Sequence, residues 1–277
     1  MQVGVIRRLE GNTPRGGCFM PTLFTRRATL LAAAATPFAA GTALADVGVT
    51  AFKLRWSADP GKDGLRAFVG VEDDRSDSHP GVTHIFAEPT QYRFVMHKSD
   101  RDGSDRQRQE VRAIQMNGSR VDMKKNETWR YDYQMFIPSS LKGTSSFTHI
   151  FQVKHTSVAS PVVTMSLHRT GSTENVEMRL FGAGQAKLGV TNLAPLRNKW
   201  IDVEIEVKVA DGSGGRVRYS LKDGGTTIVN ASRSGIDTWL GGDQAHPKWG
   251  IYRSINDSGQ LQDTYLLLRN MKAYRDE

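Results

Sequence analysis

The segment Arg106-Gln107-Arg108-Gln109-Glu110-Val111-Arg112 sets three guanidiniums and a carboxylate at alternate positions. In a strand, successive side chains point to opposite faces, so Arg106, Arg108, Glu110 and Arg112 share one face and Gln107, Gln109 and Val111 the other. Such a face suits the gripping of carboxylates or sulfates, because guanidinium is a rigid two-pronged donor. Glu110 would hold two of the arginines in place. A solvated face with cross-strand ion pairs is the structural alternative. A second segment, His149-Ile150-Phe151-Gln152-Val153-Lys154-His155, points Gln152 and Lys154 together. Parity sends His149 and His155 to the apolar side with Phe151 and Val153. The third, His246-Pro247-Lys248-Trp249-Gly250-Ile251-Tyr252-Arg253, aligns Lys248, Gly250 and Tyr252. The missing side chain at Gly250 leaves space for a sugar ring. A tyrosine hydroxyl beside cations is a workable proton donor, or a base once deprotonated; core packing is the alternative for Tyr252.

Other chemistries lack their residues. There is no H-E-x-x-H, G-x-S-x-G or G-x-x-x-x-G-K-[ST] pattern. No carboxylate pair is singled out for glycoside hydrolysis. His79, His84 and His97 show no metal-ligand spacing with one another, so no metal ligands are assigned. The single cysteine, Cys18, lies near the N-terminus and excludes a disulfide framework or thiol nucleophile downstream.

The elements that must position these residues read as strands. Residues 128–137 (TWRYDYQMFI) and 200–209 (WIDVEIEVKV) alternate apolar and polar side chains, the half-buried strand pattern. Residues 147–154, 162–168, 177–181, 216–222, 248–254 and 264–274 are further candidates, separated by clusters such as DGSGG and DGG. No long stretch keeps a helical apolar period. The expected fold is all-β: a concanavalin-like jelly-roll sandwich of two antiparallel sheets with a concave substrate groove. Residues 100–105 (DRDGSD) read as an exposed polar loop.

Upstream, Thr25-Arg26-Arg27-Ala28 begins a twin-arginine pattern, followed by an alanine-rich apolar run and Ala43-Leu44-Ala45. This is the signature of an export signal over residues 1–45, with Met20 as an alternative start that leaves 1–19 outside the protein. A mature single domain then spans 46–277, periplasmic or secreted through the twin-arginine route and not held in the membrane. The leader carries five arginines against Glu10, so the mature part keeps a milder excess than the +8 of the whole chain. A mild basic field favours anionic partners; for an exported chain, acidic glycan is expected rather than nucleic acid.

In this order the three segments resemble the active-site strands of the jelly-roll polysaccharide lyases: alginate lyases, heparin lyase I and glucuronan lyases. Arg108-Gln109-Glu110-Val111-Arg112 is similar to R-[ST]-E-[LV]-R, and Gln152-Val153-Lys154 stands where that group has Q-[IV]-H. Lys248-Trp249-Gly250-Ile251-Tyr252 matches K-x-G-x-Y, and the following Arg253 resembles heparin lyase I. The whole run, from about residue 93 to 274, is most similar to the glucuronan lyase branch. The resemblance implies β-elimination on an acidic polyuronate, giving 4,5-unsaturated ends. Arg108, Gln152 or Lys154 would neutralise the substrate carboxylate, Lys248 would support the site, and Tyr252 would protonate the leaving oxygen, serving also as base in a syn elimination. Arg106, Glu110, Arg112, His155 and Arg253 would contact substrate. Lys154 departs from the family histidine. His155 beside it points away unless a bulge intervenes, and His97 is another candidate imidazole. No cofactor is required, although relatives of this type hold a structural calcium ion, for which Glu72-Asp73-Asp74 and residues 100–105 offer oxygens without EF-hand spacing. A monomer is expected. A lectin-like module that binds acidic glycan without turnover is the alternative function, and a hydrolase or epimerase on a similar cleft a third.

Overall fold

Residues 129, 131, 133, 135 and 137 all lie at 4% exposure or less, and so do 201, 203, 205, 207 and 209, so both alternating segments face the core as their patterns require. In the computed structural model, which describes residues 51–277, sixteen strands form two antiparallel sheets. The export signal expected over residues 1–45 lies outside the described residues.

The outer sheet runs β14 (Thr226–Ile236), β13 (Gly215–Asp223), β12 (Trp200–Lys208), β7 (Thr128–Phe136), β16 (Thr264–Asp276), β4 (Tyr92–Met96) and β3 (Ile85–Ala87), with β1 (Phe52–Ser57) also pairing β16. The groove sheet runs β11 (Ala186–Asn192), β10 (Thr173–Leu180), β9 (Pro161–Thr170), β8 (Thr148–His155), β15 (Ala245–Ser254), β5 (Arg106–Met116) and β2 (Phe68–Glu72), with β6 (Ser119–Val121) on β5. The architecture is the expected jelly-roll sandwich. The three chemistry-bearing segments are β5, β8 and β15, adjacent in one sheet although far apart in sequence.

Aromatic rings join the sheets. Trp249 of β15 meets Tyr131 of β7 edge-on at 5.7 Å and stacks on Trp56 of β1 at 6.0 Å, while Phe151 of β8 lies 6.3 Å from Tyr133. Trp249 is 1% exposed, and truncating such a core tryptophan to alanine costs about 3–5 kcal/mol. Residues immediately before and after Trp249 are thus fixed by the core, which makes β15 a rigid support for Lys248 and Tyr252.

Gly250 has φ +136°. A Cβ there would lie 2.1 Å from the Gln109 carbonyl oxygen and 3.0 Å from the Phe94 ring. The glycine therefore allows a close strand approach inside the sandwich, and the expected opening for a sugar ring at this position is corrected: the space is filled by β5. Gly250 also sits where the register between β15 and β8 shifts, between Trp249 and Tyr252.

Candidate active site

Cross-strand register lines up the polar residues of the groove sheet in two rows. Arg108, Tyr252, His149, Ser166 and Glu177 are successive partners over five strands. Arg112, Lys248, Gln152, Thr164 and Arg179 form the second row. The structure thus brings Arg106, Arg108, Glu110, Arg112, Gln152, Lys154, Lys248 and Tyr252 to one sheet, with the parity read from β5 intact.

The floor is a dense ion network. Lys248 is 3% exposed and its Nζ donates to Glu72 at 2.7 Å and pairs with Glu110 at 2.8 Å. Arg108 donates to Asp102 (2.8 Å), Glu110 (3.0 Å) and Glu72 (3.3 Å), and Gln152 Nε2 donates to Glu110 at 2.7 Å. Burial alone would raise the Glu72 carboxyl, but Lys248, then Arg108 and Arg75, hold it below its usual range. Asp102 is likewise held down against burial by Arg75 and Arg108. Burial opposes the charge on Arg108, and Glu110 and Glu72 outweigh it, so its pKa is raised. Removing one member of such a network leaves a buried charge unpaired, at a cost of about 3–5 kcal/mol. Glu110, Arg108 and Lys248 therefore act chiefly as bracing. Glu110, 1% exposed and enclosed by three protein donors, is corrected from a substrate contact to a positioning residue.

Cations with solvent access surround this floor. The Arg106 and Arg112 side chains are each 40% exposed. Arg112 lies over β2, where Gly70 leaves room for it: a Cβ at residue 70 would meet Arg112 Nε at 2.7 Å. Arg75, Arg112, Lys154 and His246 line a cavity of about 380 Å³ with Glu72, Arg108 and Lys248. Burial, then Lys248 and Arg108, lower the Lys154 pKa, and its Nζ donates to the carbonyls of Val158 (2.9 Å) and Ala159 (2.5 Å).

At the other end stands Tyr252. The Arg108 guanidinium lies 3.9 Å over its ring, and Arg106 Nη1 donates to its hydroxyl at 3.1 Å. Arg106 donates to the oxygen, so the hydroxyl's own hydrogen is not used in that bond. His149 is 5.7 Å away, ring centre to ring centre, with Phe147 against both rings at 5.0 and 4.9 Å. The register shift between His149 and Phe151 against β9 makes Ile150 a bulged residue. That bulge turns His149 from the apolar side, where parity puts it, to the side of Tyr252. Its Nδ1 is 2.6 Å from Ser166 Oγ, which itself donates to Thr164 Oγ1 at 3.3 Å. With Ser166 donating onward, Nδ1–H donates to the serine and Nε2 is left with the lone pair; the opposite tautomer would reverse the two nitrogens. Burial, then Arg179 and Arg108, push His149 down to about 3, so the imidazole is neutral at ordinary pH. His149 is a candidate site residue that parity missed. Gly250, an isolated glycine inside a strand, marks the register shift on the β15 side; nothing in the β8 sequence marks Ile150.

Three expected site residues lie elsewhere. Arg253 is fully buried on the core side of β15, with its Nε donating to Gln107 at 2.5 Å; burial brings its pKa down to about 10. His155 is fully buried edge-on against Trp239 at 4.9 Å. Both are 0% exposed, which corrects both expected contacts, even though His155 borders the cavity lined by Lys154 and His246. The ring neighbours of His97 are His79 and His84, not Tyr252. Residues 100–105 do form a loop, but Asp100 and Asp102 are buried (0% and 6%), against expectation. Nor do the two acidic loops fit a calcium cage of six or more oxygens. Glu72 and Asp102 face guanidiniums and Lys248, Asp73 and Asp100 face imidazoles, and Asp74 accepts from Ser78 and His79.

Comparison with known proteins agrees with this fold. The family model described as polysaccharide lyase matches residues 74–268. An endo-β-1,4-glucuronan lyase from the fungus Trichoderma reesei superposes with a TM-score of 0.55 at 12% identity, over 80% of this chain and 95% of that one. Alginate lyase A1-II' gives 0.53 at 14% identity, over 78% and 98%. Alginate lyase Aly36B, in complex with alginate trisaccharide, gives 0.51 at 13% identity, over 82% and 100%. No curated protein sequence matches the chain.

Proposed function

The chain belongs to the polysaccharide lyase family, and we propose that it is an exported lyase cleaving a glucuronan-like polyuronate by syn β-elimination, with His149 as base and Tyr252 as acid. Membership of a lyase family sets aside the purely binding alternative. The observation that carries the reading is the Tyr252–His149 pair, 5.7 Å apart on one wall, with Arg106 on the tyrosine oxygen.

In the proposed reaction His149 Nε2 takes the C5 proton, the C4–O bond breaks, a C4=C5 double bond forms, and Tyr252 gives its proton to the departing oxygen. Charge builds on the substrate carboxylate as C5 is deprotonated. Arg106, Arg112 and Lys154, the cations with access, would receive it, and fixed charges of this kind supply much of the rate gain. Arg108, Lys248, Glu72 and Glu110 keep the floor from rearranging during the reaction.

Substrate class follows from stereochemistry. In glucuronate and mannuronate the C5 hydrogen and C4 oxygen are on the same side of the ring; in guluronate they are opposed. Acid and base on one wall suit the first two. The likeness to a glucuronan lyase supports the first of these. The twin-arginine leader supports export to where such polymers occur. Ultraviolet absorbance with polyglucuronate, polymannuronate and polyguluronate tests this: rising absorbance with polyglucuronate and none with polyguluronate is expected. Turnover of polyguluronate alone would overturn the assignment.

A further inference from the structure

We propose that His79, His84, His97 and Asp100 are the ligands of a structural zinc ion, beside the groove and separate from the elimination site. One ligand atom from each of the four lies within 4.8 Å of every other. His79 Nδ1, His84 Nε2 and His97 Nδ1 stand 3.1, 3.3 and 3.4 Å from the Asp100 carboxylate oxygens. Zinc bonds of about 2.0–2.2 Å in a tetrahedron separate neighbouring ligand atoms by about 3.3–3.6 Å, close to these spacings. His79 and His97, both partly exposed, are free to close the wider gaps by rotation.

Orphaned nitrogens point to a missing cation. His84 and Asp100 are fully buried, yet His84 Nε2 and His97 Nδ1 have no hydrogen-bond partner. On its far side, His84 Nδ1 lies 2.8 Å from Asp73 Oδ1. With Nδ1 protonated toward that carboxylate, Nε2 carries a lone pair facing Asp100, itself an acceptor. A lone pair and a carboxylate oxygen 3.3 Å apart in a dry pocket repel one another; a metal ion between them, or a second proton on the ring, relieves this, and the orphaned His97 Nδ1 beside them favours the metal. The carboxylate–histidine pair is also the arrangement that fixes the tautomer of metal-bound imidazoles. Three nitrogens and one oxygen select zinc over calcium or magnesium, which take oxygens. Four protein ligands leave no open position, so the ion is structural rather than catalytic.

The ion would join two segments that carry the groove. His79 and His84 lie between β2 and β3; His97 and Asp100 lie between β4 and β5. Gln107 of β5 reaches the carbonyls of His97, Lys98 and Asp100 at 2.7–3.0 Å. Two residues beyond Asp100, Asp102 holds Arg108 and Arg75. The sequence spacing hid this set because its members come from two loops.

The test is metal content and thermal midpoint of the full chain, independent of turnover. After zinc-supplemented expression and desalting, one zinc per chain is expected. Chelator should remove it and lower the midpoint; zinc, and not calcium, should restore it. His79→Gln, at a partly exposed position, should fold with unchanged circular dichroism and lose the zinc, and Asp73→Asn should weaken zinc affinity about 10–100-fold. A midpoint indifferent to zinc and chelator, calcium restoring it equally, or full zinc retention in folded His79→Gln would overturn the proposal.

Discussion

In the proposed scheme Tyr252 and His149 divide two proton transfers that one tyrosine could make in turn. An imidazole held down to about 3 is neutral near pH 7, and Ser166 at 2.6 Å fixes its orientation. His149→Gln should therefore lower kcat by about 10²–10⁴, the range for a general base, without lowering the thermal midpoint. Unchanged kcat would return the base to Tyr252 alone. At this scale much of the site was legible: alternation put Arg106, Arg108, Glu110 and Arg112 together, and Gln152 with Lys154. Parity failed for His149 because a single bulged residue, Ile150, inverts the face of what precedes it. Sequence also offered no measure of burial, which corrects the expected contacts of Arg253 and His155.

Elements were legible in proportion to how one-sided their burial is. Strands β7 and β12, in the sheet interior, alternate cleanly and were read from sequence. Strand β14, at a sheet edge, is mostly exposed and polar, as edge strands that avoid pairing with other chains tend to be, so no period marked it. Strand β15 was found but its glycine misjudged. Gly250→Ala places a Cβ 2.1 Å from a carbonyl oxygen at φ +136°. It should destabilise the fold by at least about 1–3 kcal/mol, the range for local backbone strain, and reduce turnover by disturbing the Tyr252–His149 register. A denaturant midpoint equal to that of the unmodified protein would contradict the close-packed role of this glycine.

At the scale of the molecule, buried imidazoles and carboxylates make stability depend on pH in one direction. His149 and His246 are both pushed from 6.5 to about 3, by burial first and then by neighbouring cations. The unfolded chain therefore binds more protons below about 6.5, and stability falls as pH drops from there toward 3, at up to about 1.4 kcal/mol per unit for each histidine. Above that range their contribution is flat. Glu72 and Asp102, lowered in the folded state, add a further loss as pH falls through the carboxylate range. The denaturant midpoint should decline between pH 6.5 and 5, before carboxylates titrate, and His246→Gln should flatten that part of the curve. A level curve there in the unmodified protein would contradict the neutral burial of both rings.

The central claim, elimination with Tyr252 as acid, is tested most directly by the ultraviolet absorbance of polyglucuronate incubated with the protein and with Tyr252→Phe. The account predicts a steady rise from the unsaturated ends with Tyr252 present. With the folded phenylalanine variant, a rate lower by about 10²–10⁴ is expected. Equal rates from the two proteins would contradict it.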